Sequence, residues 1–500
     1  MRWPALVGVG LVSLGARLAL LSATPVMPPE DPAFYLGTAL NLISGRGLTV
    51  DVVWTYRQGL PDLPRPGHEW WQPLPTFLEA LALLAAGPAG IDPWRVAQLP
   101  GLLAGTGTAV LGYVVARQVF ADLKLAQPGL RAFGVGLGLA LNSLMAYHSV
   151  SADSSALFSF FALLALGLPL IAGSQGFAAG LAAGLAYLAR PHAALIPLSW
   201  FLGAERRFVA LGILGFVVIA GPWAVRNLAL FGTPGPLSSL AVFAVDTADL
   251  HSLDSPPGPA IWGRAGLPTL LASRFDALVH GLGYTLGIQG FLPTSVPAWV
   301  GLWVLAVRYP PIRPAAFYSS VVALGTPLLF GPVSTLGALH HSAGSIIPWL
   351  LIGLAWGIDR LLGLVGRARR WRRDLFPVIW AGLICLWGIQ AAAAVNRTWA
   401  QSVELGGLYT EIRTVLAGLP PGPVICTIPY TVNLLTGRPA LSLPAPDPAD
   451  AVLRIAHHYG ARLVLISERA GRYPDELDGR PNQFRLVYRS ERIAVYEIAD

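Results

Sequence analysis

Residues 28–50 read PPEDPAFYLGTALNLISGRGLTV and follow directly on the apolar run WPALVGVGLVSLGARLALLSATP of residues 3–25. Glu30 and Asp31 therefore stand where an apolar segment gives way to a polar loop, at the boundary between lipid and water. Pro32 suits the first turn of a helix, and Asp31 before it can cap that helix. Phe34, Tyr35, Ala39, Leu42 and Ile43 then form one apolar face, closed by Gly45. The pattern predicts an amphipathic helix lying along a membrane surface with two carboxylates at its start. Asp31 as a plain N-cap is one reading. A carboxylate fixed at a membrane surface can equally act as general base on a hydroxyl.

The rest of the chain supplies the lipid. Of 500 residues 54% are hydrophobic and only 12% charged, and the mean hydropathy is +0.57. A water-soluble domain carries about a quarter charged residues, so most of this surface has another solvent. Apolar spans fall near 4–24, 96–119, 132–148, 155–172, 176–189, 191–203, 208–226, 291–308, 314–331, 345–364 and 375–396, which predicts eleven membrane helices. The stretch 73–87 is too short to cross, since fifteen residues rise only about 22 Å against a core of about 30 Å. It begins at Pro73 and Pro75, carries Glu79, and reads as a second interfacial helix. The first segment contains Arg17 and lacks a small-x-small cleavage site, which favours a retained helix over a cleaved signal.

Charge orients this topology. With 73–87 outside the count, Lys124 and Arg131, Arg206 and Arg207, Arg308 and Arg313, and the cluster Arg367, Arg369, Arg370, Arg372 and Arg373 all fall on one side. Positively charged loops stay in the cytoplasm, so the N-terminus is expected inside the cell membrane. The loop 25–95, the loop 227–290 and the tail 397–500 are expected outside. The net charge of +7 is used up in these clusters, and no basic face with interleaved aromatics suggests nucleic acid. Cys385 and Cys426 alone give neither a disulfide framework nor a thiolate metal site. The tail changes character. GPVICTI, ARLVLIS, FRLVYRS and RIAVYEI are short strand-like runs, and 404–417 and 447–459 have helical periodicity. A small α/β domain follows, with no glycine-rich phosphate loop.

Asp31, Tyr35, Leu36, Ala39, Asn41, Leu42, Gly45 and Gly47 together resemble the first-loop signature of the GT-C glycosyltransferases. Within that superfamily they resemble most the lipopolysaccharide-core transferases of the Rgt type, and more distantly protein O-mannosyltransferases and the aminoarabinose transferase of lipid A. WWQPLPTFLEALALLAAG (70–87), YHSVSADSSALFSFFALLAL (147–166), GLAYLARP (184–191), GPWAVRN (221–227) and HHSAGSIIPWLLIGLAWG (340–357) resemble further segments of that family in the same order. The likeness covers roughly residues 1–400.

The resemblance implies a GT-C membrane domain over 1–396 and a metal-independent, inverting transfer from a polyprenyl-phosphate sugar to a cell-envelope acceptor. It needs no cofactor beyond the lipid-linked donor. The first-loop acid is the base, either Asp31 or its neighbour Glu30. The aminoarabinose transferase has a lysine for the lipid phosphate where Gln72 stands here. Another cation is then required, and Arg190, which interrupts an apolar run at LARP, is the first candidate; Arg57 and Arg65 on the first loop are weaker ones. Arg190 equally suits a helix break, where its side chain can reach a carbonyl or the interface.

Asp153 in its run of serines suits either an acceptor site or a helix cap. His68 with Glu69, and His340 with His341, are more simply hydrogen-bonded side chains than metal ligands, although His68 and Tyr35 lie on the loop that would face substrate. Trp70 and Trp71 suit an interfacial anchor. A transporter would place ionisable residues at mid-membrane. The only acidic residue within the spans is Asp359, near the cytoplasmic end of its helix, so a flippase or a non-catalytic scaffold is the alternative.

Overall fold

The computed structural model describes residues 3–173, 175–256, 258–288, 292–369, 374–467 and 473–499. The chain is mostly helical: α1 (Trp3–Ser22), α2 (Asp31–Ile43), α3 (Leu74–Ala86), α4 (Pro93–Asp122), α5 (Pro128–Leu141), α6 (Ser143–His148), α7 (Ser154–Ala172), α8 (Gly176–Ala189), α9 (Leu195–Ser199), α10 (Arg206–Phe231) and α11 (Pro259–Gly287). There follow α12 (Leu292–Arg308), α13 (Arg313–Ser320), α14 (Thr326–Phe330), α15 (Leu339–Ser342), α16 (Ile347–Arg369) and α17 (Phe376–Ala417), and in the tail α18 (Pro429–Thr436), α19 (Ala449–Tyr459) and α20 (Tyr473–Asp478).

Six of these, α1, α4, α7, α10, α16 and α17, are long and apolar enough to cross a membrane, or seven if α11 and α12 form one broken span. The other expected spans are short or interrupted. Residues 132–148 break at Asn142, whose extended backbone and side chain cap α6 through the Met145 N–H at 3.0 Å. Residues 191–203 are successive 3-10 and α turns around Pro191 and Pro197, and α13 passes through a π turn before α14. Proline and unfavourable turn geometry, not loss of apolarity, cause these breaks. The expected large outer loop 227–290 holds a 29-residue helix, kinked at Gly266.

The bundle packs on small residues. A Cβ added to Gly180 of α8 would lie 2.1 Å from the Gly212 carbonyl oxygen of α10, and one on Gly215 would lie 2.3 Å from the Phe177 carbonyl oxygen. The two backbones are in direct contact, as small-residue packing in lipid permits.

The basic loops gather at one end. Arg131 bonds Asp359 at 2.6 Å and Asp374 at 3.1 Å; Tyr309 donates to Asp122 at 2.6 Å. A Cβ on Gly203, just before Arg206, would meet the Pro310 carbonyl at 2.9 Å. Arg370, Arg372 and Arg373 lie outside the described residues. At the opposite end α1 delivers the chain to α2, which packs on α3.

The sheet of the tail has six strands in the order β2-β5-β4-β6-β8-β7, with β4 (Val424–Cys426), β5 (Ala440–Ser442), β6 (Leu463–Ser467), β7 (Phe484–Arg489) and β8 (Ile493–Ile498). Its edge strand β2 (Val52–Val53) comes from the first loop, pairing in parallel with Ala440 and Leu441. The neighbouring β1 (Thr49–Val50) pairs with β3 (Arg65–Pro66) within that loop. The sheet is thus built from the tail and the first loop together. Nor does the polypeptide break at 396. Helix α17 runs for 42 residues, about 63 Å at 1.5 Å per residue, twice the thickness of a hydrocarbon core.

Candidate active site

Helix α2 begins at Asp31 with Pro32 in its first turn, and the N-cap position falls on Glu30, one residue earlier than expected. Glu30 has φ +65° and its side chain caps nothing on α2, so Asp31 is free of any capping duty. Its carboxylate lies 3.6 Å from Nε2 of His341 and keeps 21% of its side chain exposed.

His341 reaches the site on α15, from a segment almost two hundred residues beyond Asp153. Its Nδ1 is 2.9 Å from Ser155 Oγ and 3.5 Å from Asp153 Oδ2. Asp153 is the N-cap of α7, taking the Ser155 N–H at 2.6 Å. It also accepts from Ser151 Oγ at 2.8 Å and faces His148 Nδ1 at 3.0 Å. Burial alone would raise the Asp153 carboxyl. The His148 and His341 rings overcome this and hold it well below the usual carboxylate range. The capping reading and the acidic-site reading of Asp153 are therefore both realised in one carboxylate.

Arg190 follows the C-terminus of α8, where Pro191 stops the helix. Its Nη1 donates to Ser154 Oγ at 2.8 Å, while Nε has no hydrogen-bond partner. Tyr35, 1% exposed on α2, lies between these groups. Burial and the Asp31 carboxylate raise its hydroxyl, and Arg190 and Ser154 oppose them. Asp31, Tyr35, Asp153 and Arg190 thus converge on one polar cluster, with His148 and His341 completing it. His340 packs its ring 4.7 Å from His148 and holds Tyr284 at 2.8 Å.

The other candidates lie elsewhere. Glu30 turns away from the cluster to Thr431. His68, 1% exposed, packs its ring 4.8 Å from Phe34 and 5.8 Å from Trp223; burial, then Arg226, pushes its pKa down to about 3, so it stays neutral inside a packed aromatic group. Arg57 makes no hydrogen bond or ion pair to Asp31, Asp153 or Arg190 among the described residues; its backbone N–H donates to Thr55 at 3.4 Å. Trp70 and Trp71 are buried and pack on Trp54 with ring centroids 4.9 and 4.8 Å away. The Gln72 amide is buried without a partner. Glu79, also buried, has its carboxyl raised by burial and then by Asp153.

The donor atoms of His148, Asp153 and His341 lie within 4.8 Å of one another. Two imidazoles and a carboxylate are a ligand set that suits a divalent transition metal, and Asp31 stands beside it. As they stand, the same atoms satisfy one another by hydrogen bonds. In the sequence His341 stands out only beside His340, and His148 not at all, because no short spacing joins His148 to His341.

No family model and no curated protein sequence matches the chain. Solved structures do. The chain superposes on ArnT from Cupriavidus metallidurans bound to undecaprenyl phosphate with a TM-score of 0.60 and 14% identity, covering 99% of this chain and 98% of that one. The oligosaccharyltransferase AglB from Archaeoglobus fulgidus, in complex with an inhibitory peptide and a dolichol-phosphate, gives 0.58 at 13% identity over 93% of this chain and 69% of that one. The arabinofuranosyltransferase AftD from Mycobacteria gives 0.50 at 13% identity, covering 100% of this chain and 42% of that one. The architecture is that of a polytopic membrane protein, and its fold is the one these glycosyltransferase structures share. The likeness to ArnT runs along both chains from end to end.

Proposed function

We propose that this protein is a membrane glycosyltransferase that moves a sugar from a polyprenyl-phosphate donor to a hydroxyl of a cell-envelope acceptor. One observation carries the reading: Asp31, Asp153 and Arg190 gather in one cluster of side chains, linked through His341, Ser154 and Ser155, at the end of the bundle opposite the basic loops. The positive-inside rule puts those basic loops in the cytoplasm, and hence the cluster and the tail on the outer face. Polyprenyl phosphates occupy the AglB and ArnT structures, which supports the same donor chemistry here.

Asp31 takes the proton of the acceptor hydroxyl. The acceptor oxygen forms the new bond to the anomeric carbon as the bond from that carbon to the phosphate oxygen breaks, so the configuration inverts. The lipid phosphate leaves with the bonding pair and is met by Arg190. A phosphate already leaves readily, so the protein chiefly has to position two substrates and receive one proton. Asp153, held ionised, keeps the His341 ring beside Asp31, and the buried Nε of Arg190 is left without a hydrogen-bond partner.

The gathering of His148, Asp153 and His341 favours a second reading, in which a divalent cation bound there supplies the positive charge for the phosphate. The purified protein with polyprenyl-phosphate sugar decides between them. Transfer that survives EDTA supports the metal-free reading. Transfer lost to EDTA and restored by a divalent cation supports the second. A deletion strain with unchanged envelope glycans and no accumulated lipid-linked sugar would contradict both, and leave room for the flippase or scaffold.

A further inference from the structure

Glu30 is the acidic residue that the proposed reaction leaves unused, and its surroundings give it another task. It sits immediately before Asp31 in a backbone conformation, φ +65° and ψ −91°, that side-chain-bearing residues seldom adopt. Such conformations persist only where neighbouring structure enforces them. The enforcing group is Thr431, in the first turn of α18, 401 residues away in sequence. The Glu30 N–H donates to Thr431 Oγ1 at 3.0 Å, while the Thr431 N–H and hydroxyl approach Glu30 Oε1 at 3.4 Å each. The backbone bond and the side-chain contacts close a ring between the two residues.

The contact does not stand alone. Tyr409, on the extension of α17, donates to the Met27 carbonyl at 2.9 Å. The Tyr430 ring packs 5.0 Å from Phe34 of α2 and 5.3 Å from Trp71. Strand β2 binds the same loop into the tail's sheet. The tail therefore grips the first loop on both sides of Asp31, from Met27 to Val53, and one of its holds is on the residue adjoining the carboxylate.

We infer that Thr431, by fixing the backbone of Glu30, sets the direction in which Asp31 faces the cluster, so that the C-terminal domain belongs to the transfer apparatus through a positioning residue. The inference rests on the proposed role of Asp31 as base. It gives the tail a task different from selecting an acceptor or covering the site. A small displacement of a reacting group suffices for a large loss of rate, so the effect belongs in kcat and not in donor affinity.

The test uses the full-length protein in detergent or nanodiscs, with kcat and KM for the lipid donor and thermal melting measured for each variant. Thr431→Val removes the hydroxyl at nearly constant shape and is expected to lower kcat about ten- to hundredfold, with KM and melting close to the parent. Thr431→Ser, which keeps the hydroxyl, is expected to restore the rate to within about threefold. Glu30→Gln, which keeps an oxygen for Thr431, should lose far less rate than Glu30→Ala; this pair carries the test if Thr431→Val does not fold. A Thr431→Val protein with the parent kcat overturns the inference, as does a Glu30→Gln protein as slow as Glu30→Ala. Asp31→Asn is run alongside. If its transfer survives, the base assignment itself has failed; if it is silent while Thr431→Val is unimpaired, only the positioning role has.

Discussion

Asp153→Asn is the substitution whose consequence the structure fixes most fully. The carboxylate takes the Ser155 N–H at 2.6 Å on one oxygen, and Ser151 Oγ at 2.8 Å and His148 Nδ1 at 3.0 Å on the other. The amide oxygen of asparagine keeps the Ser155 bond. Its NH2 group meets Ser151, which can rotate to accept, and His148 Nδ1, which must lose its proton or move away. Two charge-assisted bonds worth about 1.5–3 kcal/mol each become at best neutral bonds of about 0.5–1.5 kcal/mol. The net loss is about 2–3 kcal/mol. His341 loses its anionic neighbour at 3.5 Å and with it the constraint that keeps its ring beside Asp31. At about 1.4 kcal/mol per tenfold, the expected outcome is a transfer rate roughly ten- to hundredfold lower at neutral pH, with a melting temperature a few degrees lower. The acid side supplies a sign check. Because the folded Asp153 pKa is depressed, its stabilising contribution is present above the unfolded value and vanishes only as pH falls through the lower folded one. The gap in melting temperature between parent and variant should therefore close at acid pH. A variant with the parent rate and the same melting temperature at neutral pH would refute this reasoning.

Arg190→Ala should raise KM for the lipid donor by tenfold or more, with Arg190→Lys intermediate because an ammonium keeps the charge but not the fork; titration of donor against initial rate decides it, and an unchanged KM would remove Arg190 from the phosphate site. Gly180→Leu forces a side chain into the Gly212 carbonyl and should destabilise the bundle by at least the 1–3 kcal/mol typical of overpacking. Because α8 ends just before Arg190, its melting temperature and donor affinity should fall together. Burial pushes the Glu30 carboxyl from 4.5 up to about 8, against the Thr431 hydrogen bonds. A pKa raised on folding stabilises fully below pH 4.5 and is lost as pH climbs through about 8. The parent's melting temperature should therefore decline relative to that of Glu30→Gln between those limits, and two parallel curves would contradict the assignment.

The residues Asp31, Asp153 and Arg190 could be picked out from sequence because each is a polar residue at the edge of an apolar run, a place that costs free energy unless something uses it. The two histidines could not. His148 and His341 meet only through the packing of α7 against the segment around α15, and no local period encodes a contact of that sequence separation. The adjacency of Glu30 and Asp31 in sequence concealed that the helix start sends them to opposite sides. The composition shift near residue 396 was legible, but it marks a change of solvent and not the end of a helix, so α17 runs straight through it. Strand β2 is two residues long, and its value lies entirely in its partner β5, which leaves no trace in its own sequence. The spans that fragment, at Asn142 and around Pro191, kept their apolar composition. Hydropathy registers the surrounding lipid and not the regularity of the backbone within it.

The account turns on Asp31 removing a proton during sugar transfer from a lipid phosphate. Single-turnover transfer by purified Asp31→Asn, with the donor saturating and the fold checked by melting, measures that step alone. The rate should drop about 10²- to 10⁴-fold, the usual contribution of a general base, while donor binding and melting temperature stay at the parent values. A folded Asp31→Asn protein that transfers sugar at the parent rate would show that the carboxylate beside His341 does something else.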